Sequence, residues 1–193
     1  MGKVLLFIFD EMTDYEITFV THLLRTSGNK EIVTISYNDK VIKGRSELEY
    51  KPSKTIYEVM DEDVEGLIIP GGWYGETAAE LIELIKDLNS KGKLIGAICG
   101  AGTVFLAKAG VLENVKYTTP ATEWTEKHRQ VFGENDPFPR ENFLDKRVVR
   151  DGNIITATGI AFIDFTIEIC DWFNLFDDED DKLNFYKSIA NIQ

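Results

Sequence analysis

Three short segments carry residue types that could do chemistry. The first is Ile95-Gly96-Ala97-Ile98-Cys99-Gly100-Ala101-Gly102, where an apolar run meets small residues at a cysteine. A nucleophile at a strand-to-helix turn is pushed outward, and such a turn tolerates only small residues two positions to either side. Ala97 and Ala101 meet that demand. A helix N-terminus also favours the thiolate, because backbone N–H groups and the helix dipole stabilise negative charge. Spacing alone balances this reading evenly against a buried structural thiol. The second segment is Pro70-Gly71-Gly72-Trp73-Tyr74-Gly75, whose two glycines let backbone N–H groups face a crevice, as an oxyanion hole requires. An ordinary strand-to-helix turn reads the same way. The third is Asp10-Glu11-Met12-Thr13-Asp14-Tyr15-Glu16, where a carboxylate on a first helical turn can reach the same edge and share a proton with a thiol. Asp14 and Glu16 are equally readable as solvated charges at a helix start.

The elements that would position these segments alternate along the chain. Lys3 to Phe9, Glu31 to Tyr37, Gly66 to Pro70 and Lys93 to Ile98 are short apolar runs of the kind buried on both faces of a parallel sheet. Between them, Thr13 to Ser27 and Thr77 to Lys91 place apolar residues at helical spacing, with Gly28 and Gly92 as stops. Gly102 to Ala109 reads as a helix, and two more are expected from about 161 to 176 and 181 to 192. Asp39 to Glu49 alternates around Gly44, which predicts a small hairpin at a sheet edge, and Asp151-Gly152 predicts a second hairpin over 145 to 157. This alternation calls for an α/β, doubly wound, mostly parallel sheet with helices on both faces, and residues 1–193 read as a single domain. Ligands of such sheets sit outside the carboxyl ends of the strands, where all three segments fall.

The charge balance of 21 basic against 33 acidic residues gives −12, which argues against nucleic acid or an anionic membrane as partner. Twelve Phe, seven Tyr and three Trp are too many for a disordered chain. No apolar run approaches the roughly 20 residues of a membrane span, and Asp10-Glu11 ends the first apolar run too early for a signal peptide. Two cysteines, Cys99 and Cys170, make no disulfide framework, so a reduced, cytoplasmic protein is expected. Cys170, among Phe165, Ile169 and Phe173, reads as a core thiol. No Cys/His cluster has zinc spacing, and no glycine-rich turn carries the lysine of a P-loop, so no metal or cofactor is expected. The acidic run Asp177 to Asp181 lacks the glycine and closing glutamate of a calcium loop and reads as a solvated turn before a helix.

Taken together, Asp14-Tyr15-Glu16, Leu67-Ile68-Ile69-Pro70-Gly71-Gly72, Ala97-Ile98-Cys99-Gly100-Ala101, Leu106 to Leu112 and Asp151 to Gly159 resemble the ThiJ/PfpI family, within the class I glutamine amidotransferase-like superfamily. The resemblance spans about residues 3 to 175. It implies a flavodoxin-like sandwich and allows a homodimer. It also implies a catalytic or oxidation-sensitive Cys99 with Glu16 as its carboxylate neighbour, and Gly72 and Gly100 as oxyanion N–H donors. Gly71, Trp73, Ala101 and Trp124 are the expected pocket, with Tyr74 a further aromatic neighbour. Activities associated with the family include peptidase or amidase action, aldehyde chemistry of the glyoxalase and deglycase kind, chaperone activity and oxidative-stress sensing.

Histidine departs from the family pattern. One branch has His directly after the cysteine, where this chain has Gly100; others have it before the proline, where this chain reads Thr119-Pro120. His22 lies six residues past Glu16, about 600° round a helix, and should face away from it. His128 reads as a surface helix residue. A cysteine nucleophile normally pairs with a base that also protonates the leaving group, so its loss weakens amide hydrolysis more than carbonyl addition. The expectation is a cysteine-dependent hydrolase of a small-molecule or peptide substrate, protease/amidase-like or aldehyde-acting. Its rival is a non-catalytic redox or stress sensor using oxidation of Cys99, or a small-molecule-binding protein.

Overall fold

In the computed structural model, which describes residues 1–73 and 76–190, the first half of the chain runs β1 (Lys3–Phe7), α1 (Tyr15–Thr26), β2 (Glu31–Ser36), β3 (Ile42–Lys43), β4 (Glu49–Tyr50), β5 (Lys54–Thr55), β6 (Gly66–Ile69) and α2 (Ala79–Ser90). It continues with β7 (Leu94–Ile98), α3 (Cys99–Lys108), α4 (Glu126–Phe132), β8 (Val148–Asp151), β9 (Ile154–Ala157), α5 (Phe162–Trp172) and α6 (Glu179–Ala190). Seven strands form one sheet in the order β5-β2-β1-β6-β7-β9-β8. All its pairs are parallel except β8 with β9, which meet as the hairpin that Asp151-Gly152 predicted.

The sequence dictates this sheet through continuous apolar strands. Val4, Leu5 and Phe7 of β1, Leu67 to Ile69 of β6 and Leu94 to Ile98 of β7 are buried, which requires cover on both faces. That cover comes from α1 through Ile17, Val20 and Leu24, from α2 through Leu81, Leu84, Ile85 and Leu88, and from α5 through Phe165 and Ile169. Each such side chain contributes about 1.5–3 kcal/mol of burial free energy. Connections leave β1 toward β2 on one side, while β6 and β7 lie on the other, so the strand order reverses beside β1. The crevice that opens at such a reversal lies at the carboxyl ends of the strands.

One local expectation is corrected. The hairpin predicted over 39–49 forms as β3 and β4, but as a separate two-stranded sheet rather than an edge of the main one. The edge is β5, a two-residue strand beside β2 with no periodicity of its own to read. The acidic turn before α6 behaves as expected: Asp178 accepts the Asp181 N–H at 2.9 Å, and Asp181 accepts the Asp177 N–H at 3.2 Å. Among the described residues no helix is long and apolar enough to cross a membrane.

Candidate active site

Cys99 is the first residue of α3 and takes a backbone φ of +64°, a left-handed conformation costing about 1–2 kcal/mol for a residue with a Cβ. Such strain persists only where the surroundings impose it. Here a chain of hydroxyls sits beneath the elbow. The Ala121 N–H donates to Thr119 Oγ1 (3.2 Å), the Thr119 hydroxyl donates to Thr103 Oγ1 (2.8 Å), and Thr103 donates to the Cys99 carbonyl (2.7 Å). Thr103 and Thr119 are fully buried. Thr119, at the position where other branches carry histidine, therefore holds up the elbow's backbone.

Glu16, on the first turn of α1, is fully buried. Its Oε2 accepts the Gly71 N–H at 2.7 Å, while Oε1 meets the geometric criteria for a hydrogen bond with none of the described residues. A Cβ built on Gly159 would lie 2.7 Å from Glu16 Oε1 and 2.9 Å from Cys99 Sγ, so carboxyl and sulfur are separated by at most the sum, 5.6 Å. A Cβ on Gly71 would overlap the Cys99 Cβ and come within 2.8 Å of both Sγ and Glu16 Oε2. Two strand-end glycines thus wall the pair closely. Gly72, with φ of +150°, could not carry a side chain either, because its Cβ would press on the Glu11 carbonyl oxygen at 2.6 Å.

Burial pushes the Glu16 carboxyl up to about 7, against the lowering effect of the Gly71 N–H. Burial, followed by the charge of Glu16, pushes the Cys99 thiol up to about 12, against hydrogen bonds from the Gly100 and Gly72 N–H groups. The thiolate expected from the helix N-terminus is therefore not the resting form, since desolvation outweighs the two N–H groups. Between those two values the pair holds one proton and one negative charge, poised beside two converging N–H donors. This arrangement can add sulfur to an electrophilic carbon while the carboxyl takes and returns the thiol proton.

The surroundings are aromatic. Tyr15 is half-exposed, stacks edge-on to Phe162 and donates to the Gly159 carbonyl at 3.4 Å. Its phenol titrates above the ordinary range through burial, then through the charges of Glu16 and Cys99. Trp73, 38% exposed, follows Gly72 and stacks on His128, which stacks in turn on Trp124, with ring centroids 5.5 and 5.2 Å apart. His128 Nδ1 accepts the Thr125 N–H at 3.1 Å as part of the α4 capping box. Lys127 Nζ sits 3.9 Å from the Trp73 ring centre.

The predicted residues Cys99, Glu16, Gly71, Gly72 and Gly100 therefore converge. Trp73 and Trp124 join one aromatic stack that begins at the residue after Gly72, whereas Ala101 is fully buried in the core. Tyr74 and Gly75 lie outside the described residues. Asp14 is not a solvated charge: it is buried and accepts hydroxyls from Ser46 and Tyr50. His22 is exposed on α1 whereas Glu16 is buried, as the spacing required. His128 is half-buried in the stack rather than free on the surface. Sequence reasoning overlooked Gly159 and Tyr15 as site residues, although Gly159 ends a strand-like run, which places it at the same edge.

The DJ-1/PfpI family model matches residues 2–171. An uncharacterized protease, YoaZ, of Bacillus subtilis is 28% identical over 184 residues, covering 90% of this chain and 84% of that protein. The deglycase PfpI of Pyrococcus furiosus is 27% identical over 160 residues, covering 80% of this chain and 89% of that one. Among solved structures, the DJ-1 superfamily protein Atu0886 of Agrobacterium tumefaciens superposes with a TM-score of 0.80 at 26% identity, covering 98% of this chain and 100% of the other. Fold, strand-end site and family model agree, and the chain belongs to the DJ-1/PfpI family.

Proposed function

We propose that this protein is a cysteine-dependent enzyme of the hydrolase type acting on reactive carbonyls, as the deglycase-named relatives suggest, with Cys99 as nucleophile. The observation that carries the reading is a buried carboxyl titrating at about 7 and packed against the thiol, because a general base works best near the operating pH. As Sγ bonds to the carbonyl carbon, the thiol proton passes to Glu16 and the C=O π electrons move onto oxygen. The Gly72 and Gly100 N–H groups stabilise the alkoxide, and Glu16 returns the proton to it, giving a hemithioacetal. For a dicarbonyl, Glu16 then carries the carbon-bound proton of the adduct to the neighbouring carbon, and water cleaves the resulting 2-hydroxyacyl thioester, releasing the 2-hydroxy acid and the free thiol. Peptide cleavage asks for more. An extended chain must reach a sulfur walled by Gly71 and Gly159, and the departing amine must also be protonated. Oxidation sensing asks for a standing thiolate, which burial opposes here.

The test is consumption of methylglyoxal by the wild type, Cys99→Ser and Glu16→Gln. The serine variant should lose turnover, and the glutamine variant should fall by about 10²-fold or more, the scale of a lost general base. Wild-type consumption no faster than Cys99→Ser would refute the proposal. Stoichiometric oxidation of Cys99 by peroxide without turnover would then favour the sensor.

A further inference from the structure

The segment Asp10 to Asp14, between β1 and α1, is held from both sides. On one side lies the β3–β4 hairpin: the Glu11 N–H donates to the Lys43 carbonyl (2.9 Å), the Arg45 N–H to the Met12 carbonyl (2.9 Å), and the Lys43 N–H to Asp10 Oδ1 (2.8 Å). On the other side lies the glycine turn, where the Thr13 N–H donates to the Gly71 carbonyl (2.9 Å) and Met12 bridges Gly72. Asp14 fastens the hairpin further. Only 3% exposed, it accepts the Ser46 hydroxyl on Oδ1 at 2.6 Å and the Tyr50 hydroxyl on Oδ2 at 3.2 Å. Gly44 packs so closely that a Cβ there would lie 2.7 Å from Oδ2. Two residues on, Glu16 takes the Gly71 N–H, and Gly72 points its own N–H at the sulfur.

We infer that the hairpin is a positioning device for the site. Ser46 and Tyr50, by gripping Asp14, fix the start of α1 and hence the placement of Glu16 against Cys99. Neither residue meets the sulfur; each acts through Asp14. A buried carboxylate that loses a hydroxyl donor must seek water or another partner, and the backbone carrying it shifts accordingly. The inference rests on Glu16 and Cys99 sharing a proton, but not on any substrate, so it can fail or stand independently of the carbonyl chemistry.

The test is the rate of Cys99 alkylation by iodoacetamide against pH, in a Cys170→Ser background. Ser46→Ala and Tyr50→Phe are each made with Glu16 intact and with Glu16→Gln. With Glu16 intact, each variant should change the rate above pH 7 by about threefold, the effect of half a pK unit. With Glu16→Gln the same substitutions should leave the rate within experimental scatter. Equal changes in both backgrounds would mean general loosening and would overturn the inference, as would no change in either. Tyr50→Phe keeps its ring and deletes only the longer bond, so it reads the inference even if Ser46→Ala fails to fold. Methylglyoxal turnover measured alongside separates the two proposals: its absence in the wild type counts against the carbonyl reaction and leaves the alkylation comparison intact.

Discussion

Replacing Glu16 by Gln removes a buried negative charge beside the sulfur while keeping the side chain's shape, so its effect on the thiol follows from Coulomb's law. With the separation taken at its upper bound of 5.6 Å and an effective dielectric of about 20, the interaction is about 3 kcal/mol, or about 2 pK units, and a shorter separation only raises it. The thiol of the variant should then titrate near 10, about 2 units below the wild type's value of about 12. Below pH 7 wild-type Glu16 is itself protonated, and there the two proteins should be alkylated at the same rate. Above pH 7 the curves should separate, with Glu16→Gln about tenfold faster at pH 8 and further ahead at pH 9. Stopped alkylation with iodoacetamide, quantified on the Cys99 peptide, measures this directly. The aldehyde reaction should move the opposite way, because losing the base slows turnover even as the thiolate becomes easier to form. A Glu16→Gln variant alkylated more slowly at every pH would refute the reasoning. It would mean that the carboxylic acid proton, not the carboxylate charge, dominates the sulfur's environment.

Stability should also report Glu16. Its carboxyl is raised from an ordinary 4.5 to about 7, so the folded state holds a proton that the unfolded chain has lost across that window. Stability should fall as pH rises from 4.5 to 7, by about 3 kcal/mol in urea titrations, and Glu16→Gln should flatten that slope. Gly159→Ala places a methyl 2.7 Å from Glu16 Oε1 and 2.9 Å from Sγ; both turnover and alkylation should drop sharply, and unchanged alkylation would show the sulfur is open from that side. Burial and the nearby Arg140 hold His128 below its ordinary range, so its quenching of the stacked tryptophans should appear only below pH 6.5. Tryptophan emission against pH, with His128→Gln as control, measures it.

The fold was legible where pattern and burial coincide. The apolar runs of β1, β6 and β7 left no alternative to a covered parallel sheet, and small residues around Cys99 announced the elbow. What escaped was set by contacts between distant residues. Asp14 looks like any helix-start carboxylate until Ser46 and Tyr50, 32 and 36 residues away, are folded onto it. The expected thiolate failed for a related reason: the helix dipole is local and readable, whereas desolvation depends on Gly71 and Gly159 closing over the sulfur. The spacing of α4 puts His128 on the surface, because nothing local to the helix reveals that Trp73 stacks against it.

Gly159 closes the box around the sulfur, and Tyr15 reaches across 144 residues to bond it. Contacts of such long sequence separation form late in folding, because their loop-closure entropy must be met before they contribute. A chain whose β9 has not yet docked lacks the Gly159 side of that box and leaves Cys99 more open to water there. Docking of the last parallel strand is therefore the step that completes the wall around the sulfur.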